Sequence, residues 1–300
     1  MDRLDSMRIF IAVAEAGGFA PAARRLALSP PAVTRAIAAV EERIGARLLH
    51  RTTRVVRLTE AGTRFLEDCR RILAEVDEAE AAAAGLHAEP RGPVAVTAPV
   101  LFGRLHVAPV LFRVADRYPR LVVRSFFIDR IVHLAEEGYD VAVRIAELPD
   151  SGLSAVRVGT VRRIVCAAPA YLAAHGTPRS PADLAEHEAI PFIRGPSTRD
   201  WVFHQGGRTE TAEPRVRLIV NQADVAVAAA VAGHGLTRVL SYQAAAEIRA
   251  GLLQVVLQEF EPPPIPIQVV HQEGRRASAR VRALVDMLAE GLRADPTLEG

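Results

Sequence analysis

The chain has 300 residues, half of them hydrophobic, which predicts about two domains with a sizeable core. All 37 basic residues are arginines, and 35 acidic residues leave a net charge of only +2. The absence of lysine excludes a P-loop lysine, a Schiff-base lysine and a Ser–Lys dyad. The longest apolar run, Val225 to Ala232, is too short to span a bilayer, and the charged N-terminus does not resemble a signal peptide. Cys69 and Cys166 lie in apolar periodic segments, so we expect reduced core thiols in a cytoplasmic protein.

Two short helices are predicted before residue 28. The first ends at Gly17-Gly18, and the side chains expected to face the core are Leu4, Met7, Ile11 and Ala14. Phe19 follows as a predicted core residue. A second helix over Pro21 to Ala27 is expected to pack through Ala22, Ala23 and Leu26, with Leu28-Ser29 as a tight turn.

A third helix is predicted from Ser29 to Gly45. Ser29 is a favoured N-cap, Pro30 suits the first helical position, and Gly45 ends the helix. The apolar stripe is Val33, Ile37, Val40 and Ile44, and the opposite face carries Thr34, Arg35, Ala38 and Glu42. An apolar stripe with small residues and an arginine near the N-terminus fits the second helix of a helix-turn-helix in the DNA major groove. The alternative is an ordinary amphipathic surface helix.

The residues after this helix favour the DNA-binding interpretation. Arg47 to Leu58 contains two short strand-like runs around a polar tip, which predicts a β-hairpin wing. From Arg24 to Arg64 there are nine arginines and three glutamates, a local charge of +6 that is typical of a phosphate-binding surface. Residues 1–58 are therefore predicted to be a winged helix-turn-helix domain. The residues predicted to contact DNA are Ser29, Pro30, Pro31, Thr34, Arg35, Arg51, Thr52, Thr53 and Arg54.

A long linker helix is predicted over residues 59–89, with Thr59 as its N-cap. Its apolar residues alternate spacings of four and three, which predicts a heptad seam that pairs two subunits: Phe65, Cys69, Ile72, Val76, Ala79, Ala83 and Leu86. The alternative is a single helix lying on its own domain. Glu89 to Pro93 breaks the pattern and marks the predicted domain boundary.

Residues 90–300 alternate strands and helices, which predicts an α/β domain with parallel sheets and right-handed crossovers. The first set is predicted as strand 94–97, helix 101–117, strand 121–127, helix 131–137 and strand 140–145. The second set has strands over 163–168, 216–220, 236–240 and 252–257, and a return strand and final helix over 267–271 and 280–292. The pair His187-Glu188 is predicted to be a solvated helix end.

The N-terminal third resembles the DNA-binding region of LysR-type transcriptional regulators. The matching residues include Ala22-Ala23, Pro31-Ala32-Val33, Arg35, Glu41, Gly45, Leu48-Leu49, Arg51 to Arg54 and Leu58 to Gly62. Ala20 departs from the usual Ser or Thr cap, and Pro30 occupies a place often held by a glutamine that contacts DNA. Residues 90–300 resemble the effector domain of the same family, which is similar to periplasmic binding proteins. The stretches that carry this second resemblance include Tyr139 to Ile145, Ala168-Pro169 and Gly233 to Arg238.

The resemblance implies two α/β lobes joined by two crossovers, with lobe I at about 90–162 and 267–300 and lobe II at about 163–266. Ligands of open α/β sheets lie beyond the carboxyl ends of the strands. We therefore expect a small effector between the lobes, and an anionic one is favoured because Thr97 precedes a helix N-terminus. Arg144 is expected either to bind a carboxylate of the effector or to form an internal ion pair with Asp140 or a nearby acid. The residues predicted to line this site are Thr97, Ala98, Pro99, Val100, Arg144, Ile145, Asn221, Thr237 and Arg238.

No catalytic, cofactor or metal motif is found in the sequence, so an enzyme, the third class considered, is disfavoured and no cofactor is expected. The favoured function is a sequence-specific transcriptional regulator that binds double-stranded promoter DNA under the control of a small-molecule effector. The alternative is an effector-independent DNA-binding protein whose C-terminal domain serves oligomerisation only. The resemblance further implies a homodimer through the linker helix and a homotetramer.

Overall fold

The computed structural model describes residues 2–51, 56–83, 89–148, 152–192, 201–274 and 277–299. The chain divides into two compact units. The first is Met1–Pro93 with Tyr118–Val122 and Ser278–Arg280, and the second is Val94–Arg117, Val123–Ala277 and Val281–Gly300. The predicted domain borders at residues 58 and 89 stay predictions. The two units are defined by contacts between residues, and their limits fall inside individual strands and helices.

The first unit contains the predicted winged helix-turn-helix and the linker helix. Its elements are α1 (Arg3–Ala16), α2 (Phe19–Arg25), α3 (Pro30–Ile44), β1 (Leu49–Arg51), β2 (Val56–Leu58) and α4 (Glu60–Ala83). The local signals at α3 act as expected. The Ser29 hydroxyl accepts a hydrogen bond from Ala32 N, and Gly45 closes the helix in the left-handed conformation at φ 72°. Thr59 caps α4, since Gly62 N donates to its hydroxyl at 2.9 Å.

The apolar stripes of α1 and α3 differ in part from the prediction. The deepest residues of α1 are Ile9, Phe10 and Val13, whereas the predicted set, Leu4, Met7, Ile11 and Ala14, is only half-buried. The reason is that α1 contacts α2, α3 and α4, so more than one of its faces is covered. In α3 the first three predicted residues are fully buried, but Ile44 at the end of the helix is exposed.

The first part of the predicted heptad seam faces the protein's own core. Cys69 is fully buried in the helix-turn-helix core, and the Phe65 ring lies 5.1 Å from that of Phe10. Burial raises the pKa of the Cys69 thiol to about 12. Ile72 and Val76 are half-buried and Ala79 is exposed. The alternative of a helix lying on its own domain therefore holds for the first turns of α4; Leu86 lies outside the described residues.

The second unit contains two five-stranded sheets. Its strands are β3 (Gly92–Ala98), β4 (Leu121–Phe127), β5 (Val141–Ile145), β6 (Ser154–Val161), β7 (Arg163–Ala167), β8 (Glu188–Ile190), β9 (Trp201–Gln205), β10 (Arg208–Ala212), β11 (Arg215–Val216), β12 (Leu236–Leu240), β13 (Gln254–Val256) and β14 (Ile265–His271). The sheets have the orders β4-β3-β5-β14-β6 and β11-β8-β12-β7-β13. The expected lobes have this arrangement: one sheet each, joined by two crossovers.

Both sheets are mixed, and the expectation of parallel sheets is wrong. In the first sheet β3 is parallel to β5, but β14 is antiparallel to β5 and β6. In the second sheet β12 is parallel to β8 and antiparallel to β7. The physical reason is the connectivity. The two crossovers carry β7 and β14 into their sheets without an intervening α-helix, since the second one contains only the short 3-10 turn Gln258–Phe260. Neither strand therefore has to follow its neighbour's direction.

Four strands were not anticipated from the sequence: β6, β8, β9 and β10. The β9–β10 pair is a hairpin around Gly206-Gly207, with φ of 56° and 78°. Two glycines at positive φ are typical of the turn that joins antiparallel strands, so this hairpin had a usable sequence signal. The predicted strand 216–220 shrinks to β11 and an isolated bridge between Phe192 and Val220.

Helices cover the sheets, and the helix predicted over 131–137 is shorter in the structure. They are α5 (Val100–Phe102), α6 (Ala108–Arg117), α7 (Leu134–Glu137), α8 (Pro169–His175), α9 (Ala223–Val231), α10 (Ala245–Arg249) and α11 (Ala279–Arg293). The predicted helix 101–117 contains a π-helical turn, Gly103–Val107, between α5 and α6. No helix within the described ranges is long and apolar enough to cross a membrane.

Candidate DNA-binding surface and effector site

The N-terminal half of α3 presents a small, polar surface to solvent. Thr34, Arg35, Ala38 and Ala39 are exposed, whereas Val33, Ile37 and Val40 are fully buried below them. The Thr34 hydroxyl donates to Pro30 O at 3.0 Å. Arg35 forms no salt bridge with a described residue. Its guanidinium is therefore available to a base or a phosphate, as the sequence predicts.

The arginines of the basic stretch fall into two groups. Three have acidic partners: Arg25 with Glu15, Arg47 with Glu41 and Arg64 with Glu60. The Arg70 guanidinium, with that of Arg25, holds the pKa of Glu15 below its usual value although burial opposes the shift. The arginines without an ion pair in the described part of the chain are Arg24, Arg35, Arg43 and Arg57. The positive charge available to DNA phosphates is therefore lower than the count of arginines indicates.

The wing is the β1–β2 hairpin, in which His50 pairs with Arg57 and both side chains are exposed. Arg51 ends β1. The other predicted wing contacts, Thr52, Thr53 and Arg54, lie outside the described residues. The start of β1 is fixed by a residue not included among the predicted DNA contacts. The buried Glu41 carboxylate accepts hydrogen bonds from Leu48 N at 2.9 Å and Leu49 N at 3.1 Å.

The ends of β3 and β4 lie side by side at one edge of the first sheet of the second unit, next to β5. Thr97 pairs with Ala142 across β3 and β5, and Ile128 N, just after β4, donates to Ala98 O. Thr97 is nearly fully buried. Val100 N, at the start of α5, donates to the Asp129 carboxylate at 3.1 Å. A protein carboxylate thus already occupies the donor that was predicted for an anionic effector.

Arg144 lies near the end of β5, at the same edge, and is half-buried. Its guanidinium donates to Val132 O at 2.9 Å. The carboxylate of Asp140, predicted as a possible internal partner, accepts a hydrogen bond from Ala95 N at 2.7 Å. Ile145 follows Arg144 and is also half-buried. Arg144 is therefore positioned by the loop after β4 but remains partly accessible.

The residues predicted on the second sheet differ in how accessible they are. Asn221 is exposed just before α9. Thr237 is fully buried, and its hydroxyl donates to Ile190 O at 2.9 Å. It is the second residue of β12, so the argument from carboxyl strand ends does not apply to it. Arg238 donates to Val202 O and lies over the Phe203 ring, and burial lowers its pKa to about 10. These contacts favour structural roles for Thr237 and Arg238.

The two crossovers between the sheets are joined by a pair that sequence reasoning missed. Arg162 separates β6 from β7, and its guanidinium lies 3.1 Å from the carboxylate of Glu261, in the second crossover. Arg162 N also donates to the Ser241 hydroxyl at 3.1 Å. Burial raises the pKa of Glu261, and the Arg162 charge opposes this. The proline run 262–264 marks this crossover in the sequence, but nothing local indicates its partner.

His187 is another correction. It follows the 3-10 turn Pro181–Glu186 as a helix end, but it is buried rather than solvated. Its ring nitrogen Nδ1 lies 3.3 Å from the Tyr171 hydroxyl, which accepts a hydrogen bond from Glu188 N. Burial lowers the pKa of His187 and raises that of Tyr171. No group of three potential metal ligands occurs among the described residues.

Comparison with known proteins identifies both parts of the chain. The family model for the LysR substrate binding domain matches residues 87–293. The model for the bacterial regulatory helix-turn-helix protein of the lysR family matches residues 4–63.

Individual relatives align over nearly the whole chain. An HTH-type transcriptional repressor of Pseudomonas aeruginosa is 32% identical over 301 residues, covering 100% of this chain and 95% of the relative. The solved structure of CrgA, a LysR-type transcriptional regulator from Neisseria meningitidis, is 29% identical, covers 97% of this chain and 99% of that one, and has a TM-score of 0.61. The full-length virulence activator AphB of Vibrio cholerae, at 24% identity, 96% and 99% coverage and a TM-score of 0.60, shares the fold.

Proposed function

The chain belongs to the LysR family of bacterial transcriptional regulators, and from this membership we propose which of its surfaces act on DNA, effector and partner subunits. The protein is a DNA-binding transcriptional regulator with an effector-binding domain. Its relatives are regulators and not enzymes. The observation that supports the DNA surface is the exposed N-terminal half of α3, where Arg35 has no acidic partner in the described residues. We place the protein in the cytoplasm, where promoter DNA is accessible.

For the effector, we propose a small molecule bound between the lobes near Thr97, Ala98, Pro99, Val100, Arg144, Ile145 and Asn221. Arg144 is the one partly accessible cation of this set, so it is the candidate partner of an anionic group on the effector. Val132 O accepts from one nitrogen of the Arg144 guanidinium, and the other N–H donors of this side chain can bind an anionic effector. The effector cannot use Val100 N without displacing Asp129. Thr237 is left out of this proposal because its buried hydroxyl donates to Ile190 O. Arg238 is left out because its guanidinium donates to Val202 O and lies over the Phe203 ring.

We expect Arg144→Ala to abolish the response to an anionic effector. A thermal-shift screen of carboxylates on the full chain identifies the ligand. At a concentration a hundred times its Kd, that ligand should stabilise the wild-type protein by ~2.7 kcal/mol. The variant should lose this shift but keep its DNA affinity without ligand. Arg249→Ala, an exposed arginine on α10, is the matched control and should retain the shift. An unchanged shift in Arg144→Ala removes this residue from the site. A wild type without any shift favours the effector-independent alternative.

For assembly, we propose a homodimer through α4 and a homotetramer through the effector domains. Exposed apolar side chains on the second unit support the contact between effector domains, among them Phe112, 67% exposed, Phe126 and Val225.

Phe112→Glu should convert a tetramer to a dimer, because it places a charge in the apolar contact between effector domains. Ile72→Glu combined with Val76→Glu should weaken the dimer itself for the same reason, since both residues lie on α4. Light scattering at micromolar concentration measures both. If neither variant changes the mass, both assignments are wrong.

A further inference from the structure

We propose that Glu41 is a positioning residue for DNA binding, which fixes the wing relative to α3. The inference rests on the proposed DNA surface but concerns a residue on the buried side of α3, only 7% exposed. Its carboxylate reaches the segment Arg47 to Leu49, which leads from Gly45 into β1.

One side of this segment is bound to Glu41. A single carboxylate oxygen, Oε1, accepts both Leu48 N at 2.9 Å and Leu49 N at 3.1 Å. The other oxygen, Oε2, lies 3.5 Å from the Arg47 guanidinium. Two consecutive backbone donors on one oxygen fix the direction of the strand as well as its distance from α3.

The other side of the segment is bound to the beginning of α4. Arg47 O accepts the Thr59 hydroxyl at 2.8 Å, and Leu48 O accepts Thr59 N at 3.0 Å. Gly62 is packed directly on Leu48 O. The first residues of the wing are therefore held between α3, through Glu41, and α4, through Thr59.

A negative charge at the position of Glu41 is electrostatically unfavourable. Glu41 lies in the last turn of α3, where the helix dipole disfavours a negative charge, and burial disfavours it further. A negative charge also weakens the attraction of this region for phosphates. The hydrogen bonds to the wing offset these costs.

The consequence for DNA binding follows from the hairpin register. Leu49 pairs with Leu58, and His50 pairs with Arg57 one residue further along. A displacement of Leu48 and Leu49 from α3 therefore moves both exposed wing side chains relative to the exposed face of α3. The loss of Glu41 should uncouple the wing from DNA while α3 keeps its own contacts.

The test measures DNA affinity against salt with a duplex selected from a random library by the wild-type full chain. Glu41→Met, which keeps the length of the side chain but removes both oxygen acceptors, should lower affinity ~3–10-fold and reduce the salt slope by about one ion, the loss expected when one phosphate contact disappears. Arg57→Ala should reduce the slope similarly, and the double variant should show little further reduction, because both changes remove the same contact. Glu42→Gln on the exposed face of α3 reports the effect of removing one charge alone.

The outcomes are distinguishable. A Glu41→Met variant with the wild-type slope, or with a loss that adds to that of Arg57→Ala, overturns the positioning role. Should Glu41→Met unfold, Glu41→Asp keeps the charge with a shorter reach and should show the same loss of slope. A wild type that selects no duplex contradicts the DNA surface itself and not the role of Glu41.

Discussion

Replacing Gly62 with alanine is expected to destabilise the first unit strongly and to weaken DNA binding. A Cβ atom at this position would lie 1.9 Å from Leu48 O and 2.9 Å from Leu48 C. Both are backbone atoms of the segment that leads into the wing, so no side-chain rotation relieves the clash. Overpacking costs ~1–3 kcal/mol and occasionally more. We expect the upper end or beyond, because Leu48 is itself bonded to Glu41 and Thr59.

Thermal unfolding of the full chain and binding to the selected duplex measure this effect. Gly45→Ala is the matched comparison, because its Cβ meets no atom within 4 Å but its φ of 72° disfavours a side chain. That variant should lose only ~1–2 kcal/mol. Equal melting temperatures for the two variants would show that α4 can move away from Leu48 and that the close approach is not required.

Replacing Arg35 with alanine is expected to reduce discrimination between selected and scrambled DNA. Arg35 is exposed near the N-terminal end of α3 with small neighbours, Thr34 and Ala38, so the helix can enter a major groove. A bidentate contact of arginine with guanine O6 and N7 contributes ~1–3 kcal/mol of discrimination. We therefore expect the affinity for the selected duplex to fall by that amount and the affinity for scrambled DNA to fall much less.

Arg57→Ala is the matched comparison, since it removes an exposed arginine from the wing instead of the helix. Phosphate contacts carry little sequence information, so this variant should weaken binding to both duplexes together. Isotherms at several salt concentrations measure both affinities. An equal loss on both duplexes for Arg35→Ala would make Arg35 a phosphate contact and leave base recognition to Thr34 and its neighbours.

The sequence by itself determined the order of the helices and the hairpin in the first unit, and the ends of α3. These features depend on local signals: the Ser29 cap, the left-handed Gly45 and the apolar spacing of Val33, Ile37 and Val40. Local signals depend on residues within a few positions of one another, so they are visible without the fold. The same reasoning identified Arg35 as exposed.

Only the tertiary structure decided which distant groups bind each polar side chain and pack against each apolar one. Cys69 packs in the core of its own domain instead of against a partner subunit. The Thr237 hydroxyl donates to Ile190 O, and the Asp129 carboxylate accepts a hydrogen bond from Val100 N. The strand directions of the sheets were also outside the reach of local patterns. Periodicity gives the face on which a residue lies but not the element that covers that face. Glu41 illustrates this limit: its carboxylate accepts hydrogen bonds from residues seven and eight positions away, and no local pattern predicts that contact.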